Sequence, residues 1–319
     1  MNQDYIVPNN WSIIEEGYEA DRVKSSESLF SIGNGAMGQR ANFEEQYSGA
    51  TFQGSYIAGV YYPDKTKVGW WKNGYPEYFA KVLNAPNWIG INVEINGESL
   101  DLSKCKSVSN FRRELNMQEG WYQRSFQAVL QNDLEISVHV TRFLSLDIDE
   151  LGAIKYEVTP INSDAKVVFK PYLDAGIENE DTNWEEKFWE TLEIKNEENA
   201  AFVVARTLKT KFTVATYMQN QIIVNNEIAD VKPVEVSKET SKISFAYEVA
   251  ATQGQTVSIH KFGGYTISTN HKEEYLISAA KQVLVQATTL GFNALLENQK
   301  QAWAKIWEMS DITIEGDTK

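Results

Sequence analysis

Apolar and polar residues alternate along most of this chain, from about residue 5 to residue 268. In the segment Glu135–Phe143, for example, Ile136, Val138 and Val140 fall on one face, as they would in a half-buried β-strand. The same rule predicts strands at 88–95, 152–158, 166–170, 201–205, 212–217, 243–249 and 256–262. Turn residues separate these short segments and no helical pattern alternates with them. The pattern therefore predicts a mainly β chain with many antiparallel strands in stacked sheets.

A tight hairpin is indicated directly after the first of these strands. Asn96-Gly97 is a two-residue turn signal, because both residues readily adopt a positive φ. We expect the returning strand at Leu100–Leu102.

The pattern changes to a helical one after Thr269. Apolar residues then recur at spacings of three and four over 275–287 and again over 292–307, which is typical of one face of a helix. Gly291 separates the two series, so two helices are predicted. We expect a domain boundary here, with a β domain over residues 1–269 and a helical linker over 270–319.

The second of these helices carries a stripe of large apolar side chains. Trp303, Ile306 and Trp307 follow the spacing i, i+3, i+4, which places them on one face. Large apolar faces usually have a partner. We expect this stripe to pack against the β domain or another domain and not to bind a ligand.

A glycine motif near the N-terminus suggests a nucleotide site at first sight. Gly33, Gly35 and Gly38 form G-x-G-x-x-G after the apolar run 29–32. A dinucleotide site, however, needs a helix that starts at the glycines and closes a βαβ unit. The following residues, 39–54, show no apolar stripe at helical spacing. The sequence favours a glycine-rich turn between strands.

Composition and charge exclude some classes of function for this chain. Of the 319 residues, 42% are hydrophobic and 23% charged, which is typical of a globular chain. The formal net charge of −14 disfavours both nucleic acid and an anionic membrane surface as partners. Nine Trp, 15 Tyr and 14 Phe form a high aromatic load, which suits strands and sugar-binding surfaces.

Cysteine content and the N-terminal residues bear on location. A single cysteine, Cys105, excludes an internal disulfide, and no activating partner for its thiol is evident. The first residues lack the basic start and apolar core of a signal peptide. No apolar run approaches the ~20 residues of a membrane span. We expect a cytoplasmic protein.

Residues that could carry acid–base or metal chemistry are sparse. The three histidines, His139, His260 and His271, lie far apart in the sequence, and the first two fall inside predicted strands. Strand histidines are usually packed or on the surface, so we predict no metal site. The acidic runs at 147–150 and 178–186 are interpreted as solvated loops.

The aromatic segment from Tyr56 to Trp88 is the clearest candidate for ligand contact. Aromatic, amide and proline residues interleave there without a period, and loops often carry function. Trp70, Trp71 and Tyr75 are our substrate-entrance candidates. The alternative is that these rings fill the space between two sheets.

Several segments of the chain resemble a known enzyme family. The most specific are Glu27-Ser-Leu-Phe-Ser-Ile-Gly-Asn-Gly-Ala-Met-Gly-Gln-Arg40 and the stretch 302–317, with looser matches at 53–59, 83–88, 115–120 and 156–160. They resemble the N-terminal domain of glycoside hydrolase family 65, which includes the maltose, kojibiose and trehalose phosphorylases. The resemblance departs at Gln299, where family members often have histidine.

The resemblance implies a large β-sandwich of the supersandwich type, as in galactose mutarotase, followed by linker helices. A catalytic (α/α)6 barrel would then begin after Asp317, so the general acid would lie beyond Lys319 and no catalytic residue is assigned within this chain. Family phosphorylases invert the anomeric centre: a carboxylic acid protonates the glycosidic oxygen while phosphate attacks the opposite face. No cofactor is implied beyond inorganic phosphate as co-substrate.

Three functions remain open at this point. The chain could be a non-catalytic domain supporting the barrel of an α-glucoside phosphorylase or hydrolase, with that barrel and a disaccharide as partners. It could instead be a stand-alone carbohydrate-binding module that uses the aromatic segment. The third alternative is an aldose epimerase-like enzyme using His139 and His260. Phosphorolysis or hydrolysis, the disaccharide, and a homodimeric assembly are left undecided.

Overall fold

The computed structural model describes residues 5–7, 9–66, 74, 76–179, 187–313 and 316. In this described part of the chain, twenty-one strands precede one long helical element. In chain order the strands are β1 Ile6–Val7, β2 Ser12–Glu16, β3 Ile32–Gly33, β4 Met37–Gln39, β5 Ser55–Ile57, β6 Tyr61–Lys65, β7 Tyr78–Val82, β8 Ile91–Ile95, β9 Glu98–Ser99, β10 Ser107–Asn116, β11 Trp121–Val129, β12 Glu135–Leu144, β13 Leu151–Pro160, β14 Ala165–Asp174, β15 Trp189–Glu197, β16 Ala200–Thr207, β17 Thr213–Val224, β18 Glu227–Ala229, β19 Glu235–Lys238, β20 Lys242–Ala251 and β21 Val257–Ile267.

The described strands form two large and two small sheets, and their pairings are antiparallel. The main sheet has eleven strands, in the order β1-β2-β10-β11-β12-β13-β21-β17-β16-β15 with β18 on β17. A five-stranded sheet has the order β19-β20-β14-β8-β9. The order β3-β4-β5 makes a three-stranded sheet, and β6 pairs with β7 alone. The predicted mainly β, stacked-sheet architecture is confirmed.

The hydrophobic core lies between the main sheet and the five-stranded sheet. Trp88 is 1% exposed and lies over Gly152 and Gly263, where a Cβ would meet its ring at 2.3 and 2.9 Å. Glycine at both positions thus leaves room for the indole between the sheets. Tyr156 and Phe169 contact each other across the same core, with ring centroids 6.4 Å apart.

The hairpin after β8 forms as predicted, with a different return strand. Asn96 and Gly97 have φ of 52° and 83°, the values that a type I′ turn requires. The returning strand β9 is Glu98–Ser99, whereas Leu100–Leu102 was predicted. That prediction was wrong in its bounds, because the pairing with β8 ends at Ser99, with one further hydrogen bond from the Leu100 N–H to the Val93 carbonyl at 2.8 Å, and Leu102 already lies in a turn.

Within the described residues, α-helix occurs in two places, each preceded by a 3-10 turn. A short helix, α1, spans Val23–Leu29 inside the β region, which the alternation pattern did not predict. The long element α2 spans Leu276–Ser310, and Gly291 within it has φ 76° and ψ 164°. This non-helical residue divides α2 into the two predicted helical segments. The domain division at 269/270 stays a prediction.

The helical element packs on one face of the main sheet. A second apolar cluster joins Phe143, Phe202 and Phe262 on the strands to Leu284 and Phe292 on α2. Within the described part of the chain, no helix is long and apolar enough to cross a membrane.

Candidate functional site

A surface cavity lies between the three-stranded sheet and the β6–β7 hairpin. Its volume is about 480 Å³. Gly35, Met37 and Tyr56 line one side and Tyr61 and Val82 the other. We call this the hairpin cavity. Its mainly apolar lining and its size are within the range of small-molecule sites.

The glycine motif forms one wall of this cavity. Gly33 ends β3, Gly38 lies in β4, and Gly35 makes the turn between them with φ 89°. The segment is thus a strand turn, as predicted, and no helix starts at the glycines. We call it the glycine-rich hairpin.

Asn34 fixes the tip of the glycine-rich hairpin to the turn between β12 and β13. Its Nδ2 donates to the carbonyls of Ser145 and Asp149 at 2.7 and 2.9 Å. Its Oδ1 accepts from the backbone N–H of Met37 at 2.9 Å. The side chain therefore ties the hairpin both to itself and to the main sheet.

A buried ionic cluster holds the segment that leaves the glycine-rich hairpin. Arg124 of β11 donates to Glu45 Oε1 and Oε2 at 2.6 and 2.5 Å and to Glu44 Oε2 at 2.9 Å. Arg142 of β12 donates to Glu44 Oε1 at 2.7 Å and to the Arg40 carbonyl at 3.0 Å. All four ionised side chains are fully or almost fully buried. The main sheet thereby fixes this irregular segment, and Arg142 also satisfies the buried carbonyls of Arg40 and Asn42.

A second buried carboxylate fixes the far end of the same segment. Glu27 of α1 accepts from Thr51 Oγ1 at 2.5 Å and from the Phe52 N–H at 2.8 Å. Burial raises the pKa of the Glu27 carboxyl, and these hydrogen bonds oppose that rise. The sequence analysis did not predict that these charged residues are buried together, because charged residues usually lie on the surface. The residues are Glu27, Glu44, Glu45, Arg124 and Arg142.

The predicted substrate-entrance residues Trp70, Trp71 and Tyr75 lie outside the described residues. The neck of their loop is described: the Thr66 N–H donates to the Glu77 carbonyl at 2.8 Å. Of the other aromatic residues in this segment, some fill the core and others are exposed, where they could contact a ligand. Tyr62 and Trp88 are buried, whereas Tyr61 and Phe79 are about half exposed, at 44% and 45%.

Two of the histidines share one face of the main sheet. His139 of β12 is the register partner of Glu157, and its Nδ1 lies 3.0 Å from Glu157 Oε2. His260 of β21 is the register partner of Lys155. Burial, with a further contribution from Lys155, lowers the pKa of His260 to about 4. His271 lies elsewhere and contacts Glu150, with Nε2 2.8 Å from Oε1.

The remaining candidates behave as ordinary residues. Burial, together with the Asp101 charge, raises the pKa of the Cys105 thiol to about 11, as expected for an unreactive cysteine. The described residues contain no group of three potential metal ligands.

Comparison with known proteins identifies the family. Residues 13–306 match the family model described as glycosyl hydrolase family 65, N-terminal domain. This chain belongs to that family. It is 38% identical to maltose phosphorylase of Bacillus subtilis over 99% of this chain and 41% of the relative. It is 27% identical to α,α-trehalose phosphorylase of Thermoanaerobacter brockii, over 97% of this chain and 41% of that relative.

A solved structure gives the same picture of the fold. The chain aligns with a putative kojibiose phosphorylase from human microbiome with a TM-score of 0.86 and 24% identity, over 98% of this chain and 40% of that one. The chain thus spans about two-fifths of the length of the relatives it matches.

Gln299, the position at which the family often has histidine, has a structural role in this family 65 domain. Gln299 is 2% exposed. Its Oε1 accepts from the Leu146 N–H and its Nε2 donates to the Gly120 carbonyl, each at 2.9 Å. The side chain joins α2 to two turns of the main sheet.

Proposed function

We propose that this family 65 domain is the non-catalytic N-terminal part of an inverting disaccharide phosphorylase or hydrolase. The observation that carries the proposal is the family match over residues 13–306, together with coverage of about two-fifths of phosphorylase relatives. The domain would support a catalytic barrel that follows it in the longer enzyme. In that enzyme the disaccharide, and phosphate if it is a phosphorylase, would react in the barrel, with no cofactor. We further propose a cytoplasmic location.

The β6–β7 hairpin is the part of the domain that we propose reaches the substrate entrance. It has an exposed apolar face, with Tyr61 and Val82 opposite each other in register and 44% and 62% exposed. Its loop carries Trp70, Trp71 and Tyr75. Such aromatic side chains suit stacking against sugar rings or packing against the barrel.

The first experiment tests the assignment of catalysis to the proposed barrel and not to this domain. The purified 319-residue chain is incubated with maltose, trehalose or kojibiose, with and without phosphate, and glucose and glucose 1-phosphate are measured. We expect no release above background, because the proposal places the general acid and the phosphate site in the barrel, and without a positioned acid and nucleophile little of the barrier is removed. Phosphorolysis or hydrolysis by the chain alone would refute the proposal.

The second experiment tests the loop in the longer enzyme. We expect Trp70→Ala and Trp71→Ala to raise KM or lower kcat by roughly tenfold, the loss of about 1.4 kcal/mol of substrate interaction. Leu192→Ala is the control, since Leu192 is a 44% exposed residue on β15, in a different sheet. Wild-type kinetics in both tryptophan variants would show that these rings do not contact substrate.

A further inference from the structure

The turns β10–β11, β12–β13 and β16–β17 lie at the same end of the main sheet, because each strand between β10 and β16 is antiparallel to the next. Trp307 joins the end of α2 to the first of these turns. Asn34 joins the glycine-rich hairpin to the second. In the third turn, Thr210 Oγ1 donates to the Tyr61 carbonyl of β6 at 2.9 Å. The end of α2 and both hairpins that line the hairpin cavity therefore share one end of the sheet.

The β6–β7 hairpin is packed on one face only. Tyr62 on its inner face contacts Phe188, with ring centroids 4.6 Å apart. Lys81, opposite Tyr62 in register, is also buried. Three large apolar side chains on the outer face are between 44% and 62% exposed, namely Tyr61, Tyr78 and Val82. The inner face thus holds the hairpin on the domain, while the described residues leave the outer face largely uncovered.

The hairpin cavity continues this outer face. Tyr61, Ala80 and Val82 form the wall that the β6–β7 hairpin contributes. None of the described residues that line the cavity is charged, and the polar side-chain groups among them are the hydroxyls of Tyr56 and Tyr61. A sugar site needs several convergent hydrogen-bonding groups, whereas an exposed apolar surface is typical of a contact with another protein part. The chemistry of the cavity therefore favours apolar side chains over a free sugar.

The family match indicates which protein part lies nearby in a longer enzyme. The model describes an N-terminal domain, and about three-fifths of the maltose phosphorylase relative lies outside the matched part. In such an enzyme the residues that follow α2 leave this domain beside the β10–β11 turn. Neighbouring strands are about 4.8 Å apart, so this turn is about 10 Å from the glycine-rich hairpin's attachment and about 24 Å from that of the β6–β7 hairpin. A compact domain of several hundred residues is wider than this span.

We propose that the hairpin cavity and the outer face of the β6–β7 hairpin form the surface on which the following barrel docks. The inference rests on the proposed function, which supplies the barrel as the occupant. Apolar side chains of the barrel would fill the hairpin cavity. The β6–β7 hairpin would then lie between the two domains, with its inner face on the main sheet and its outer face on the barrel.

Cysteine labelling tests this burial. Val82→Cys is made in the 319-residue chain and in the longer enzyme, and maleimide modification at this position is followed by peptide mass spectrometry. We expect labelling to be roughly tenfold slower or more in the longer enzyme, because the thiol then reacts only when the docked surface opens. Ile228→Cys is the matched control, since Ile228 is 65% exposed on β18, at the opposite end of the main sheet. It should react equally fast in both proteins.

The labelling rates also separate the other occupants. Equal rates for Val82→Cys in the two proteins would overturn the proposal. Protection that requires a disaccharide would place a sugar in the cavity, and protection that rises with the concentration of the 319-residue chain would place a second copy there, and either result would overturn the proposal as well. The activity assay of the 319-residue chain decides the proposed function separately, since a barrel that docks elsewhere would still be the catalytic part.

A second readout does not depend on labelling. Val82→Glu places a charge on the proposed docking surface, and burial of an unpaired charge is unfavourable. We expect this variant to leave the melting temperature of the 319-residue chain unchanged and to lower that of the longer enzyme, while Ile228→Glu changes neither. An equal effect of Val82→Glu on the two proteins would contradict the proposal.

Discussion

At the scale of single residues, Arg124 is the side chain whose loss we expect to affect stability most. It pairs with both Glu44 and Glu45 inside the protein, where all three side chains have no exposed surface or almost none. Arg124→Met would leave Glu45 buried without its arginine, whereas Glu44 would keep only its pair with Arg142. We expect a loss of about 3–5 kcal/mol in the free energy of unfolding, measured by urea denaturation.

A matched control variant tests whether the loss of stability depends on the burial of the ion pair or only on the loss of an arginine charge. Arg112→Met removes an arginine from the next strand, where Arg112 pairs with Glu114 at 2.5 Å but is 38% exposed. We expect a change below about 1 kcal/mol for this solvated pair. Equal losses of unfolding free energy in the two variants would contradict the expectation that the buried arginine contributes more than the exposed one.

His260 gives a pH prediction at the same scale. Its pKa is lowered to about 4 in the folded chain, against about 6.5 when unfolded. The unfolded chain therefore binds the extra proton first, and stability falls as the pH drops from about 6.5 to about 4. His260→Gln should remove up to about 3 kcal/mol of this acid destabilisation, seen as a flatter stability–pH curve than wild type between these pH values. Parallel curves for the two proteins would show that His260 does not titrate as described.

At the scale of elements, the second segment of α2 is fixed to the turn between β10 and β11. Trp307 donates from Nε1 to the Met117 carbonyl at 3.0 Å and packs edge-on against Trp11, with centroids 5.1 Å apart. Trp303 stacks on Trp307 and lies against Gly120, where a Cβ would come within 1.7 Å of its ring. The predicted packing stripe is confirmed for the two tryptophans. Ile306 of the same stripe is 38% exposed.

Trp307→Ala should therefore destabilise the chain, by less than a fully buried tryptophan would. We expect about 2 kcal/mol, below the 3–5 kcal/mol typical of complete burial, measured by thermal or urea unfolding. Met309→Ala is the control, since Met309 is 88% exposed on the same segment. An unchanged stability in Trp307→Ala would mean that the segment is not held to the β10–β11 turn.

At the scale of the whole molecule, α2 completes a core of the β region. Phe143, Phe202 and Phe262 of the main sheet are 0–1% exposed with the helix present. Removing residues 270–319 should expose these rings, lower solubility and produce binding of an apolar dye. Removing only residues 311–319 should leave the melting temperature unchanged. If the chain ending at residue 269 is soluble and as stable as the full chain, α2 is a separable linker.

Features that depend on local pattern could be predicted from the amino-acid sequence. Period-two alternation set the strands, Asn96-Gly97 set a hairpin through its positive φ values, and the change of period after Thr269 marked the helices. The glycine motif could be interpreted as a strand turn for the same reason, because a helix needs an apolar stripe that residues 39–54 lack.

Contacts between residues far apart in the sequence could not be predicted and became visible in the folded chain. Arg124 and Glu45 are separated by 79 positions, and neither residue carries a local sign that it is buried. His139, Glu157 and His260 come together because β12, β13 and β21 are neighbours in the main sheet. Strand order depends on long-range pairing and on the packing of whole sheets. The ionic cluster and this grouping of His139, Glu157 and His260 are therefore properties of the assembled sheets, which local alternation alone does not specify.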